Sequence, residues 1–67
     1  MSWNYRVRKT REGFDIVEVH YNKTGTVKFW SKGSQFPYGG SADELRDDLY
    51  KMLQALDSPI LEDNLNE

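Results

Sequence analysis

Apolar and polar side chains alternate along the first part of the chain. In "WNYRVRK", residues 3–9, every second residue up to Val7 is aromatic or β-branched, and the residues between are polar. A period of two built from such residues is typical of a strand that is buried on one face. "TREG" follows, and Gly13 supplies the positive φ that closes a tight turn. The pattern predicts a strand with two unlike faces, Trp3, Tyr5 and Val7 inward and Asn4, Arg6 and Arg8 outward.

The second predicted strand, "FDIVEVHY" at residues 14–21, has an alternation that slips. Phe14 and Ile16 share one face, whereas Val17, Val19 and Tyr21 share the other. Either both faces of this strand are partly covered, or a β-bulge near Val17 resets its register. The pattern leaves both alternatives open.

A third strand, "TVKFWS", follows the hairpin turn "NKTG". Its alternation places Val27 and Phe29 inward and Lys28 and Trp30 outward. Short turns force successive strands to run antiparallel, so the three strands are expected to form a meander.

The C-terminal part carries the period of a helix from residue 42 to about residue 56. Its apolar residues form a single stripe, and Pro59 disfavours helical geometry at Ser58 and so ends the helix. Residues 60 and 61 are expected to dock as a short strand or a turn. The stripe consists of Leu45, Leu49, Met52, Leu53 and Leu56.

These elements predict an α+β fold in which a three-stranded antiparallel meander packs against one C-terminal amphipathic helix (β-β-β-α). Residues 1–61 form one small domain, and residues 62–67 are expected to be an acidic flexible tail. The predicted core consists of Tyr5, Val7, Phe14, Ile16, Val19, Val27, Phe29, Leu45, Leu49, Met52, Leu53 and Leu56.

The stretch "PYGGSADEL" places two glycines before the helix, as some phosphate-binding loops do. It lacks the lysine of a Walker loop and the third glycine of a dinucleotide-binding fingerprint. Ser41 and Glu44 instead form a capping box, and Asp43 and Glu44 would repel an anion at that helix end. We therefore interpret the stretch as a helix start.

Composition limits the remaining functions. The chain of 67 residues has no cysteine and one histidine, which excludes disulfides, thiolate metal sites and a histidine-rich metal site. The N-terminus lacks the apolar region of a signal peptide, and no apolar run is long enough for a membrane helix. We expect a soluble cytoplasmic protein that has no membrane association and no small-molecule cofactor.

Catalytic and metal-binding patterns are weak. His20 has no serine, cysteine or second histidine as a partner, so we expect a strand residue and assign no catalytic residue. Asp43, Asp47 and Asp48 lie on a helix without loop carbonyls to complete a metal shell, so a solvated helix face is expected and no metal site.

The net charge of −2 conceals a strong asymmetry. Residues 1–40 carry a net charge of +4, and residues 41–67 carry −6. Opposite charge on two parts of a small domain favours oriented association, with itself or with another protein. The candidate partner-binding surface is the basic strand face of Arg6, Arg8, Lys28 and Trp30, with Trp3 as an anchor.

The run "YGGSADELRDDLYKMLQAL" after a sheet-forming half resembles HicB-like small domains, which include antitoxins. The matching positions are Gly40, Ser41, Glu44, Leu45 and Leu49. Leu45 stands where that family has alanine, and the family's aromatic Asp-Leu-Pro-Gly-Cys stretch before the helix is absent. The resemblance implies a β-β-β-α fold and a protein partner, with toxin neutralisation as one version.

Nearly the whole chain also resembles a group of short uncharacterised bacterial and phage proteins, through "WNYRV", "EVHY", "GT" and "ELRDDLYKMLQALDSPIL". This resemblance implies a stand-alone domain and no specific activity. Together the observations predict a non-catalytic protein-binding or regulatory module that self-associates, as a homodimer, or binds another protein. The alternative is single-stranded nucleic-acid binding through the basic strand face.

Overall fold

The structure is a computed structural model that describes residues 2–62. It has an α+β fold with a single α-helix on the C-terminal side of three strands, and a short fourth strand follows the helix. The elements are β1 (Ser2–Thr10), β2 (Gly13–Tyr21), β3 (Val27–Trp30), α1 (Ala42–Gln54), a 3-10 turn (Ala55–Asp57) and β4 (Leu61–Glu62).

The strands form one sheet in the order β3-β2-β1-β4. The first three strands make the predicted antiparallel meander, and β4 pairs in parallel with β1 through Arg8 opposite Leu61 and Lys9 opposite Glu62. The prediction of three strands is therefore wrong by one. Glu62, expected to begin the tail, belongs to β4, and residues 63–67 lie outside the described residues.

The first hairpin has the predicted tight turn. Thr10 pairs with Gly13 across Arg11 and Glu12, and Gly13 has a φ of +150°, which a residue with a side chain rarely adopts. The Thr10 hydroxyl accepts a hydrogen bond from the Glu12 N–H at 3.2 Å and donates one to the Gly13 carbonyl at 3.1 Å. These bonds satisfy polar groups that the turn would otherwise leave to water.

The second hairpin is organised by Asn22. Its Oδ1 accepts the N–H groups of Thr24 and Thr26 at 3.0 and 3.1 Å, and Gly25 follows with a φ of +86°. Such side-chain-to-backbone bonds are typical of asparagine in turns. The irregularity of the sheet lies between His20 and Tyr21 in the β2–β3 pairing.

The helix starts at the predicted cap. Ser41 has extended backbone angles, and its Oγ accepts the Glu44 N–H at 3.2 Å. The Glu44 carboxylate accepts the Gly40 N–H at 2.8 Å, one residue before the amide that the capping box predicts. The N–H groups of Gly40 and Glu44 are thus bonded within the chain, which supports the interpretation as a helix start.

Position 39 requires a glycine because its backbone packs closely against the first turn of α1. A Cβ atom at this position would lie 2.6 Å from the carbonyl carbon of Glu44 and 2.8 Å from the Cα of Leu45. A larger residue would therefore push the chain away from the helix start.

One side of the sheet carries the helix. Met52 and Ala55 pack on Tyr5 and Val7 of β1, and Ile16 of β2 is half-buried beside them. The helix lies over β1 and leaves the β3 end of this face uncovered. Because Met52 and Ala55 are one turn apart, a narrow strip of α1 is enough to make this contact.

The other side of the sheet holds the two most buried side chains, Val17 and Val19, which are both fully inaccessible. Residues 31–35 run beside β2, with the Ser31 N–H bonded to the Glu18 carbonyl at 2.9 Å and the Gln35 N–H to the Ile16 carbonyl at 2.8 Å. Both faces of β2 are therefore covered, which decides between the two alternatives for this strand.

The predicted core is only partly correct. Tyr5, Val7, Val19 and Met52 are buried and Ile16 is half-buried, whereas the prediction missed Val17 and Ala55. The other predicted core residues are wrong because the helix covers one strand instead of the whole sheet. They are Phe14, Val27, Phe29, Leu45, Leu49, Leu53 and Leu56, all exposed.

Candidate interaction surface

The five residues predicted to bind a partner do not lie on one surface. Trp30 is opposite Val19 in the sheet, so it shares the face of Arg6 and Arg8. Lys28 is exposed in β3, next to the irregularity in the β2–β3 pairing. Trp3 lies on the opposite face, beside the helix.

Arg8 is buried rather than displayed. Its Nε and Nη2 donate to the two oxygens of Asp15 at 3.0 and 2.6 Å, and its Nη1 donates to the Lys32 carbonyl at 3.1 Å. The Arg8 hydrogen bonds lower the pKa of Asp15, assisted by the Ser34 hydroxyl. The guanidinium thus connects β1, β2 and the segment after β3, and its charge is neutralised within the fold.

Arg6 is half-buried and also serves the fold. Its Nη2 donates to the Pro59 carbonyl at 2.6 Å, and its Nη1 donates to the Tyr21 hydroxyl at 3.1 Å. Its buried Nε has no hydrogen-bond partner among the described residues. Arg6 therefore holds the segment between the helix and β4 against the sheet.

The exposed end of the helix-bearing face carries a row of aromatic rings on three neighbouring strands. Phe29 stacks on His20 with ring centroids 4.6 Å apart, and Trp3 lies 6.3 Å from His20 on the other side. The Lys51 ammonium lies 5.5 Å from the centre of the Trp3 ring. The rings of His20 and Phe29 stack within the chain, whereas the Trp3 and Phe29 side chains remain about half exposed.

A shallow cavity of about 370 Å³ lies between this aromatic row and the helix. The Tyr5 hydroxyl on its wall donates a hydrogen bond to Asp48 at 2.7 Å. Burial, and then this bond, raise the pKa of Tyr5 to about 12, while the same bond lowers the pKa of Asp48. This pair holds a neutral phenol and an ionised carboxylate, which stabilises the structure and provides no nucleophile at neutral pH.

The described residues hold no cluster of side chains that could bind a metal ion. Within residues 2–62, no group of three or more histidine, aspartate or glutamate side chains is close enough together to hold a metal ion. The His20 Nε2 lies 2.8 Å from a carboxylate oxygen of Glu18, and the Glu18 backbone N–H donates to the Ser31 hydroxyl at 3.0 Å. In the same part of the chain, no helix has the length and apolarity to cross a membrane.

An apolar strip on α1 and the 3-10 turn, which we call the leucine face, is exposed among the described residues. Its four side chains become more exposed toward the C-terminus, from 37% at Leu45 to 65% at Leu56. Tyr50, beside the strip, is 59% exposed. The leucine face consists of Leu45, Leu49, Leu53 and Leu56.

Sequence reasoning found these leucines but placed them inside. A second strip, Asp48, Met52 and Ala55 at positions i, i+4 and i+7, is the one that faces the sheet. One feature of the sequence indicates that some of these leucines stay exposed: the apolar positions of α1 span an arc wider than one strand can cover. A single small residue, Ala55, marks the position of closest approach to β1.

Comparisons of the chain with protein-family models, with curated proteins and with solved structures found no match.

Proposed function

We propose that this chain is a non-catalytic, cytoplasmic protein-binding module of the regulatory or antitoxin-like kind, and that the leucine face is its docking surface. The observation that supports the proposal is the exposure of four leucines on one side of a well-capped helix. Contiguous apolar patches on small domains mark protein contacts, because leaving them in water costs free energy and invites association.

The chemistry of the face suits a protein and not a polyanion. The side chains are aliphatic and have no donors for phosphate, and the helix carries Asp43, Asp47 and Asp48 on its other sides. An amphipathic helix that presents leucines at i, i+4 and i+8 is a common way of engaging an apolar helix or groove. A single-stranded nucleic acid would meet neither aligned cations nor free ring faces here.

The nucleic-acid alternative depends on the basic strand face, and the contacts of that face weaken it. Arg8 is paired with Asp15, and Arg6 is bonded to Pro59 and Tyr21. A guanidinium already neutralised by a carboxylate offers little to a phosphate unless the internal pair is broken. A phosphate there would compete with the contacts of Arg8 to Asp15 and of Arg6 to Pro59.

Site-specific photo-cross-linking in the native host tests the proposal. A benzophenone amino acid replaces Tyr50, which is exposed and adjacent in sequence to Leu49. The matched control carries the same amino acid at Lys23, in the exposed turn between β2 and β3. Irradiation is expected to give discrete protein adducts from position 50 and none from position 23.

Each outcome of this experiment is informative. Adducts from position 50 that contain one defined protein in independent captures, identified by mass spectrometry and absent from position 23, support a docking role for the leucine face. No adduct from position 50, or equal adducts from both positions, contradicts it. Adducts that contain nucleic acid instead of protein would favour the alternative function.

A further inference from the structure

The leucine face is complementary to itself when two helices run antiparallel. Suppose that Leu49 of one chain lies opposite Leu53 of a second copy. Leu45 of the first chain then lies opposite position 57 of the second, one residue from Leu56. A twofold axis then repeats both contacts, as in the symmetric interfaces that most homodimers use. Four leucines on each chain interdigitate without leaving one of them unmatched.

The 3-10 turn keeps Leu56 and Asp57 in line with the helix. Gln54 and Ala55, where α1 passes into the turn, have φ near −60° and ψ near −25°, so the chain tightens without breaking. The strip from Leu45 to Leu56 is thus continuous over about three turns.

Charge selects the antiparallel arrangement. Arg46 and Asp57 are eleven residues apart, about three full turns, so they lie along the same edge of the leucine face. In the register above, Arg46 of each chain comes beside Asp57 of the other. A parallel twofold arrangement would instead place Arg46 and Asp57 of the two chains on opposite edges of the helix pair, and would align the helix dipoles unfavourably.

Arg46 is available for this contact. Its side chain is 68% exposed, and its Nη1 lies 3.6 Å from a carboxylate oxygen of Asp43, whose side chain is 90% exposed. Such a surface pair contributes little and exchanges readily for another acid.

From this self-matching geometry we infer that the occupant of the leucine face is a second copy of this chain, in an antiparallel twofold helix pair closed by Arg46–Asp57 contacts between the chains. The inference rests on the proposed function, because it names the partner of the same docking surface. It adds an orientation and a pair of charges that an unrelated protein partner would not require.

Sedimentation equilibrium across a range of protein concentrations tests the inference. The mass of the wild-type protein is expected to rise toward twice the 7.9 kDa of one chain. Leu49→Gln with Leu53→Gln should remain monomeric at every concentration tested, with an unchanged far-UV circular dichroism spectrum.

Charge reversal then tests the orientation. Arg46→Glu and Asp57→Arg should each weaken dimerisation by about 2- to 30-fold, because each reversal affects two symmetric pairs. The doubly reversed protein should recover most of the wild-type dissociation constant. Asp47→Arg, a control on the helix side away from the leucine face, should leave the dissociation constant within about twofold of wild type.

Failure of this inference differs from failure of the proposed function. A wild-type protein that is monomeric at all concentrations overturns the second copy as occupant, and adducts to another protein from position 50 would leave the docking surface in place. A dimer that is insensitive to the leucine substitutions contradicts both. Single reversals without rescue in the double variant overturn the antiparallel register.

Discussion

The Tyr5 hydroxyl donates a 2.7 Å hydrogen bond to Oδ1 of Asp48, joining β1 to the middle of α1 across 43 positions of sequence. The second carboxylate oxygen of Asp48 accepts the backbone N–H of Tyr38 at 2.9 Å. One aspartate therefore fixes the rotation of the helix over the strand and the approach of the preceding loop. That rotation turns Met52 inward and leaves the leucine face outside.

Removing the Tyr5 hydroxyl should destabilise the fold. Tyr5→Phe is expected to lower the free energy of unfolding by about 1–2 kcal/mol, since the lost bond has a charged acceptor. Tyr38→Phe is the matched control, because Tyr38 is 75% exposed and bonds to Asp48 through its backbone. Urea unfolding followed by circular dichroism measures both. Equal effects of the two substitutions would show that the Tyr5–Asp48 bond is not a principal contact.

Alkaline unfolding should report the same bond. The pKa of Tyr5 rises from 10.0 to about 12 on folding, so the folded state holds this proton more tightly than the unfolded chain does. The stabilisation is complete below pH 10 and is lost as the pH rises toward 12. Circular dichroism between pH 7 and about 12.5 is expected to show unfolding in this window for the wild type. Tyr5→Phe should show a shallower pH dependence, and an identical curve would contradict the assignment.

Removing one member of the Arg8–Asp15 pair should lower the free energy of unfolding more than removing both members. Asp15→Asn leaves a buried guanidinium without its carboxylate and is expected to cost about 2–4 kcal/mol. Arg8→Met combined with Asp15→Asn should recover part of this loss, whereas Glu12→Gln, an exposed charge removal nearby, should cost less than about 0.5 kcal/mol. Thermal unfolding of these proteins and of Arg8→Met alone completes a double-mutant cycle and gives the coupling, and additive losses would contradict a buried pair.

The carboxylate of Asp15 should also account for a loss of stability at acidic pH. The pKa of Asp15 is lower in the folded state than its ordinary value of 3.8, so the unfolded chain binds this proton first. The stabilisation is present above pH 4 and is lost as the pH falls through the lowered pKa. Urea midpoints at pH 7, 4 and 3 should fall for the wild type and change less for the Arg8→Met, Asp15→Asn protein. Parallel declines would exclude Asp15 as the source.

Substitution by alanine should be tolerated less well at Gly39, next to the helix start, than at Gly33 in the preceding loop. Gly39→Ala should destabilise by about 1–3 kcal/mol, because its Cβ would press on the backbone of Glu44 and Leu45. Gly33→Ala is the control, since nothing lies within 4 Å of the added carbon there. Ser41→Ala should cost about 0.5–2 kcal/mol through loss of the cap. Equal unfolding midpoints for the two glycine variants would refute the close approach at Gly39.

The sequence predicts the local elements of this fold well. Alternation and Gly13 indicate the first hairpin, and Ser41 with Glu44 indicates where α1 begins, because these signals act within a few residues. Strand β4 is harder to predict, since two paired residues carry no periodicity and depend on β1 being beside them.

The rotation of α1 depends on contacts that the helix period does not contain. The apolar arc of α1 permits several rotations on a sheet, and the Tyr5–Asp48 bond selects one that buries Met52 and Ala55. Likewise, the strand pattern alone predicts Arg8 to be an exposed cation. The β1–β2 register places Asp15 opposite Arg8, and this pairing explains why Arg8 is buried. The exposure of the leucine face was missed because Tyr5 and Asp48, whose bond sets the rotation of the helix, lie 43 positions apart in the sequence.

Dilution of the leucine-methyl-labelled protein, followed by NMR, tests the central claim most directly. The account predicts that the methyl resonances of Leu45, Leu49, Leu53 and Leu56 shift together as the concentration falls. Leu61, in β4 and outside the leucine face, serves as the internal control and should stay constant. Leucine-face resonances that do not depend on concentration, or a shift confined to Leu61, would contradict the claim that this chain associates through α1.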